Sequence, residues 1–148
     1  MSKRAEDTQS VVVERELLHP PEKVWRALTQ PHLMEAWLTK TDFSAAVGHC
    51  FALQFDWGAV ECRVLELAQH QALSYTWESG ALKSVVHWTL TPTAKGTLLR
   101  MEQAGFASAD SPDYPQQARY YMGAKAGWPR FMAALERVLK NEDEGVQQ

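Results

Sequence analysis

The hydrophobic and polar positions of the chain change their period twice. Val11 to Leu18 carries a β-branched run that predicts a strand, and His19, Pro20 and Pro21 end it because proline cannot donate to a ladder. Proline suits the first turn of a helix, and Glu22 places negative charge where a helix N-terminus favours it. Val24, Trp25 and Leu28 then recur at helical spacing, which predicts a short helix from Pro21 to Thr29. Pro31 starts another, about His32 to Leu38, with Leu33, Met34 and Trp37 on neighbouring faces.

From Lys40 to Gln103 the period is two, punctuated by Val47-Gly48, Asp56-Trp57-Gly58, Glu78-Ser79-Gly80 and Thr93-Ala94-Lys95-Gly96. Six strands are predicted: Lys40–Ala46, His49–Phe55, Ala59–Leu67, Ala72–Trp77, Ser84–Thr91 and Thr97–Gln103. Connections this short make neighbours antiparallel, so the pattern describes a meander. Val86, Trp88 and Leu90 share one parity, against Val85, His87 and Thr89 on the other. The same division sets Leu73, Tyr75 and Trp77 against Ser74 and Thr76, Cys62 and Val64 against Glu61 and Arg63, and Leu99 and Met101 against Arg100 and Glu102. One face of the sheet is apolar and the other is wet.

Gly105 to Pro115 is rich in Ser, Asp, Pro and Gly and reads as a loop. A helical pattern follows from about Gln116 to Asn141, with Tyr121, Trp128, Met132, Leu135 and Leu139 along one stripe and Phe131 and Val138 widening it. Pro129 removes the bond to the Lys125 carbonyl, and Gly123 and Gly127 weaken the preceding turn, so a kink or break is expected near Gly127. Residues 1–10 read as a flexible segment, 11–141 as a single domain and 142–148 as a fraying tail. The parts add up to an α+β domain: a curved seven-stranded antiparallel sheet, two short helices after the first strand, and a long C-terminal helix that must cover the apolar face. A straight helix cannot touch a twisted, curling sheet everywhere, so a gap between them is expected.

Composition narrows what such a domain does. With 148 residues, 45% hydrophobic and 22% charged, the chain can bury a core without a disulfide or structural metal. A net charge of -3 supplies no broad positive field, which excludes nucleic acid and anionic membranes as expected partners. No stretch has the length of a signal peptide's apolar core or a membrane span, so a cytoplasmic setting without membrane insertion is expected. Cys50 and Cys62 lack zinc-ribbon or redox spacing and read as small buried hydrophobes, with a disulfide between them left open.

His19, His32, His49, His70 and His87 form no pair with ligand spacing, so no metal site is expected; His32 with Glu35 reads as a solvated pair and His87 as exposed. No serine elbow, phosphate loop or dinucleotide fingerprint is present, and no cofactor is expected. Glu61, Glu66 and Glu102 fall on or near the wet face, and Asp110 and Asp113 solubilise a loop.

The aromatic set stands out, with six Trp, four Tyr and five Phe, many on the parity that faces the helix. Trp57, Tyr75, Trp77, Met101, Gln103, Phe106, Tyr121 and Met132 are the candidate pocket, with Trp88 and Trp128 as further candidates for ligand contact. Trp25, Trp37, Trp88 and Trp128 read equally well as core. The Tyr120-Tyr121 pair is placed to close a mouth.

Between Val11 and Lys140 the chain also resembles a known family. The carriers are Arg15, the run Pro20-Pro21-Glu22-Lys23-Val24-Trp25 and Ala27-Leu28-Thr29, then Pro31 and Trp37. They continue through Leu73-Ser74-Tyr75-Thr76-Trp77, Gly96-Thr97, Leu99, Gly105-Phe106 and Gly127-Trp128-Pro129-Arg130-Phe131. In order and spacing these are similar to the START-like or Bet v 1-like (SRPBCC) superfamily, and within it to bacterial proteins related to the C-terminal domain of the activator of Hsp90 ATPase. The resemblance implies a helix-grip fold, a sheet wrapped around the terminal helix with a mostly apolar cavity between them. It also implies three kinds of function: carrying lipids, sterols or polyketides, cyclase or hydrolase chemistry in the same cavity, and binding a protein such as a chaperone.

Gln103 departs from the family pattern, standing where a His precedes the Gly-Phe pair, and an amide neither gives nor takes a proton near neutral pH. The sequence therefore points to a binding domain for a small hydrophobic or amphipathic molecule, with no catalytic residue assigned.

Overall fold

The computed structural model describes residues 8–108 and 111–146. Residues 1–7, and Asp110 with its expected role in a loop, lie outside the described residues. The elements run β1 (Thr8–Leu17), α1 (Pro21–Thr29), α2 (Pro31–Trp37), β2 (Lys40–Thr41), β3 (Cys50–Phe55), β4 (Gly58–Ala68), β5 (Ala72–Ser79), β6 (Leu82–Pro92), β7 (Thr97–Ala107) and α3 (Tyr114–Val146). The strands form a seven-stranded antiparallel sheet in the order β1-β7-β6-β5-β4-β3-β2. This is an α+β helix-grip fold of the Bet v 1-like kind, in which α1 and α2 lead the chain from one edge of the sheet to the other.

The period-two parity is the layer structure. Val60, Cys62 and Val64 of β4, Leu73, Tyr75 and Trp77 of β5, Val86, Trp88 and Leu90 of β6, and Leu99, Met101 and Gln103 of β7 are all buried on one face. Glu61, Arg63, His87 and Thr89 are exposed on the other. Pro21 and Pro31 each occupy the first turn of a helix, where the missing N–H has no intrahelical partner to lose. The Trp37 indole donates to the Ala27 carbonyl at 2.7 Å and so ties α2 to α1. Long α3 packs against both short helices and against β1 and β7, with Trp128, Met132, Leu135 and Leu139 buried beneath it.

Four local expectations are corrected. The predicted strand Lys40–Ala46 is paired only at Lys40 and Thr41. Asp42 Oδ1 instead takes the Ala52 N–H at 2.8 Å, and Phe43 turns inward to meet Phe51 edge-on at 4.9 Å. The predicted loop from Gly105 starts later, because Gly105 to Ala107 continue β7. There Phe106 and Ala107 pair with Gln9 and Thr8, so β1 begins inside the segment expected to be flexible. Gly105 makes this continuation feasible: its φ is +113°, and a Cβ would lie 2.9 Å from the Lys83 carbonyl oxygen. Finally, α3 starts at Tyr114, runs through Pro129 without a break, and continues to Val146 within the expected tail.

Candidate functional site

A cavity of about 360 Å³ lies under the N-terminal half of α3, between it and β3, β5, β7 and the β5–β6 turn. Its walls are aromatic: Phe55, Trp77, Phe106, Trp128 and Phe131. Its roof is bare because Gly123, Ala124 and Gly127 face it from α3 with little or no side chain. Trp57, Arg119 and Tyr120 stand where it opens, the first two exposed. Tyr120 reaches the β5–β6 turn there, its hydroxyl lying 2.6 Å from where a Cβ on Gly80 would be. Only a glycine, here at φ +55°, leaves that space open.

The rings form a continuous series. Trp37 meets Trp88 at 5.7 Å, Trp88 meets Trp128 at 5.7 Å, and Trp128 meets Trp77 at 5.4 Å and Phe131 at 5.4 Å. Phe55 tilts against Trp77 at 6.1 Å and stacks on Trp57 at 5.2 Å, which carries the series to the surface. Trp57 sits in the two-residue turn between Phe55 and Gly58 and is 66% exposed.

One chain of hydrogen bonds crosses the apolar wall. The Trp128 indole N–H donates to Gln103 Oε1 at 2.7 Å, Gln103 Nε2 donates to Ser84 Oγ at 2.9 Å, and Ser84 Oγ donates to the Trp77 carbonyl at 2.8 Å. It links α3, β7, β6 and β5. An indole can only donate, so Gln103 must turn its oxygen to Trp128 and its NH₂ toward Ser84, and the amide orientation is fixed by chemistry.

The ten candidate residues divide by where the structure places them. Trp57, Trp77, Gln103, Phe106 and Trp128 line the cavity. Tyr75, Trp88, Met101 and Met132 lie beyond its lining, each 1% exposed or less, filling the layer between sheet and helices. The Tyr75 hydroxyl accepts the Trp88 indole N–H at 3.0 Å. Burial pushes the Tyr75 phenol well above its ordinary range. Tyr121 lies on the flank of α3 outside the lining, edge-on to Phe106 at 5.6 Å, and borders a groove along Val11 to Val13. Its neighbour Tyr120 takes the place at the mouth.

Residues that the sequence reading left out are Phe55, Ser79, Leu82, Arg119, Phe131 and the small residues of α3. The small residues did carry a signal: Gly123, Ala124 and Gly127 recur at helical spacing on one face, which marks room beneath a helix as well as weakness within it.

Other chemistry is dispersed. Cys50 and Cys62 are free, and they project to opposite faces of adjacent strands, with Phe51 opposite Cys62 and Arg63 opposite Cys50. Cys62 is buried as expected, whereas Cys50 is exposed because its position has the wet parity. Burial, reinforced by Glu78, Asp42 and Glu61, pushes the Cys62 thiol up beyond the usual range. Among the described residues no three His, Cys, Asp or Glu side chains are placed to hold a metal ion. No described helix is long and apolar enough to cross a membrane.

Comparison with known proteins bears on the whole domain. The family model described as Activator of Hsp90 ATPase homolog 1-like protein matches residues 18–140. Among solved structures, protein MLL2253 from Mesorhizobium loti is 52% identical, with 90% of this chain and 98% of that one covered and a TM-score of 0.82. BH1534 from Bacillus halodurans shares 24% identity over 88% of this chain and 96% of its own, with a TM-score of 0.76. CalU16 from Micromonospora echinospora shares 21% over 94% and 81%, with a TM-score of 0.73, and the last two likenesses carry the fold alone. No protein of curated function matches the chain.

Proposed function

Because the chain belongs to the Activator of Hsp90 ATPase homolog 1-like family, and its fold encloses a cavity between sheet and terminal helix, we propose that it binds a small hydrophobic or amphipathic molecule there. The observation that carries this reading is the cavity itself: about 360 Å³ walled by aromatic rings, with one oriented amide in the wall. Ligand sites have this composition, mostly apolar surface with a few fixed polar groups, and volumes of about 300–1,000 Å³. Apolar burial at ~25 cal/mol per Å² supplies the driving force. The lining supports sheltering over turnover, since besides indole N–H groups its polar members are an amide, two hydroxyls and a guanidinium, from Gln103, Ser79, Tyr120 and Arg119. A reducing, cytoplasmic setting accords with the exposed Cys50 thiol.

Nuclear magnetic resonance titration with fatty acids, sterols and flavonoids tests the proposal. The Trp128 indole N–H is the resonance to follow, because it sits between the cavity and Gln103. Movement of that signal together with those of Trp77 and Phe106 is the expected result. Shifts confined to the wet face of the sheet, or none from any compound, overturn it. The family description raises a second reading, contact with a bacterial Hsp90. Pull-down and ATPase stimulation separate the two, since a chaperone contact leaves the Trp128 signal in place.

A further inference from the structure

The polarity and size of the cavity narrow the guest beyond the reading above, on which this inference rests. Gln103 is 1% exposed and borders the cavity, with its oxygen committed to Trp128 and one amide hydrogen committed to Ser84. No acceptor among the described residues takes its second amide hydrogen. At the mouth, Arg119 lies over the Tyr120 ring at 5.4 Å, and no described carboxylate pairs with it. A cation–π contact at this distance keeps the guanidinium beside the mouth while its N–H groups remain able to meet an anion. The two hydroxyls that share the lining, on Ser79 and Tyr120, can rotate to donate or accept and so impose no choice. Gln103 and Arg119 thus both present hydrogens to a guest, and the indole N–H groups of the lining, too, can only donate.

Size sets the other limit. A cavity of about 150 Å³ suffices to hold one benzene ring. The 360 Å³ here therefore takes about two rings, and a four-ring sterol skeleton would extend out through the mouth.

We propose that the cavity selects a compact, two-ring anion that carries a hydrogen-bond acceptor in its buried part, with a carbonyl-type oxygen on the Gln103 amide and a carboxylate or similar charge at Arg119. An unmet buried donor costs more than a hydrogen bond gains, so a guest without the acceptor is penalised even though its shape is right.

A matched series tests this in the unmodified protein: 4-benzoylbenzoate, with a ketone between two rings; 4-benzylbenzoate, with a methylene in its place; and methyl 4-benzoylbenzoate, without the charge. Calorimetry gives the affinities and the Trp128 indole resonance reports the location. The ketone is expected to bind at least about fivefold tighter than the methylene compound. The acid is expected to bind about three- to tenfold tighter than its ester at low salt, less so as salt rises. In Gln103→Met combined with Trp128→Phe, which also removes the indole donor that the first change would free, the ketone preference disappears, and in Arg119→Gln the acid preference disappears.

Equal binding of ketone and methylene compounds overturns the inference while the cavity reading stands, as does a preference that survives in its variant. If none of the three binds although a larger apolar compound moves the Trp128 signal, the size limit and the inference fall together. If nothing moves that signal, both readings fall. The comparison of the three compounds in the unmodified chain needs no variant to fold.

Discussion

Ser84 holds the middle of the hydrogen-bond chain, receiving from Gln103 and giving to the Trp77 carbonyl. Ser84→Ala leaves the buried Gln103 amide hydrogen without its acceptor, and should cost about 1–3 kcal/mol in denaturant unfolding. Two other buried groups make stability depend on alkaline pH. Cys62 and Tyr75 have ordinary values of 9.0 and 10.0, and burial raises both in the folded chain. Their protonated forms are the ones the fold accommodates, so this stabilisation is complete below the unfolded values. Above about pH 9 for the thiol and pH 10 for the phenol the unfolded chain releases protons that the folded chain keeps, and stability falls by about 1.4 kcal/mol per pH unit for each group. Cys62→Ala should remove the earlier onset. Thiol labelling of the native protein should reach Cys50 readily and Cys62 only on unfolding, because one is exposed and the other buried.

The elements were legible in proportion to how locally they are determined. The parity of β4 to β7 could be read from the chain because one buried face imposes a period of two on every strand. The end of β2 could not, since it depends on Asp42 capping a strand ten residues away. The continuation of β7 through Gly105 to Ala107 was hidden for a similar reason. Its pairing partners Thr8 and Gln9 lie about a hundred residues earlier, and its own composition is that of a turn. Gly96 shows how a turn glycine can be fixed by a distant element. It closes the β6–β7 hairpin, and a Cβ on it would run into the Leu17 carbonyl oxygen at the end of β1. Thr97 Oγ1 donates to the His19 carbonyl at 2.8 Å, completing this contact. Gly96→Ala should therefore destabilise by about 2–4 kcal/mol, well beyond the usual effect of a surface substitution, and should lower the thermal midpoint markedly.

At the scale of the molecule, the room under α3 comes from what the helix lacks. Of the aromatic walls, Trp77, Phe106 and Trp128 stood among the sequence candidates while Phe55 and Phe131 did not, and Gly123 and Gly127 suggested only a weak turn, because a sequence shows missing side chains without showing what stands opposite. Replacing Gly127 with Leu should fill the space. Its Cβ position meets only Phe131, at 3.9 Å, and loss of a helix-interior glycine gains about 0.5–1 kcal/mol. A guest at a hundredfold its dissociation constant stabilises the unmodified protein by about 2.7 kcal/mol, and this thermal shift should vanish in Gly127→Leu. The ring series that borders the space has an optical consequence. Four indoles, Trp37, Trp88, Trp128 and Trp77, are linked through neighbouring centroids 5.4–5.7 Å apart. Their electronic transitions couple, so the native chain should give strong near-ultraviolet circular dichroism that reports the mutual tilt of these rings, and a guest settling beside Trp128 and Trp77 would rewrite that spectrum without any attached dye.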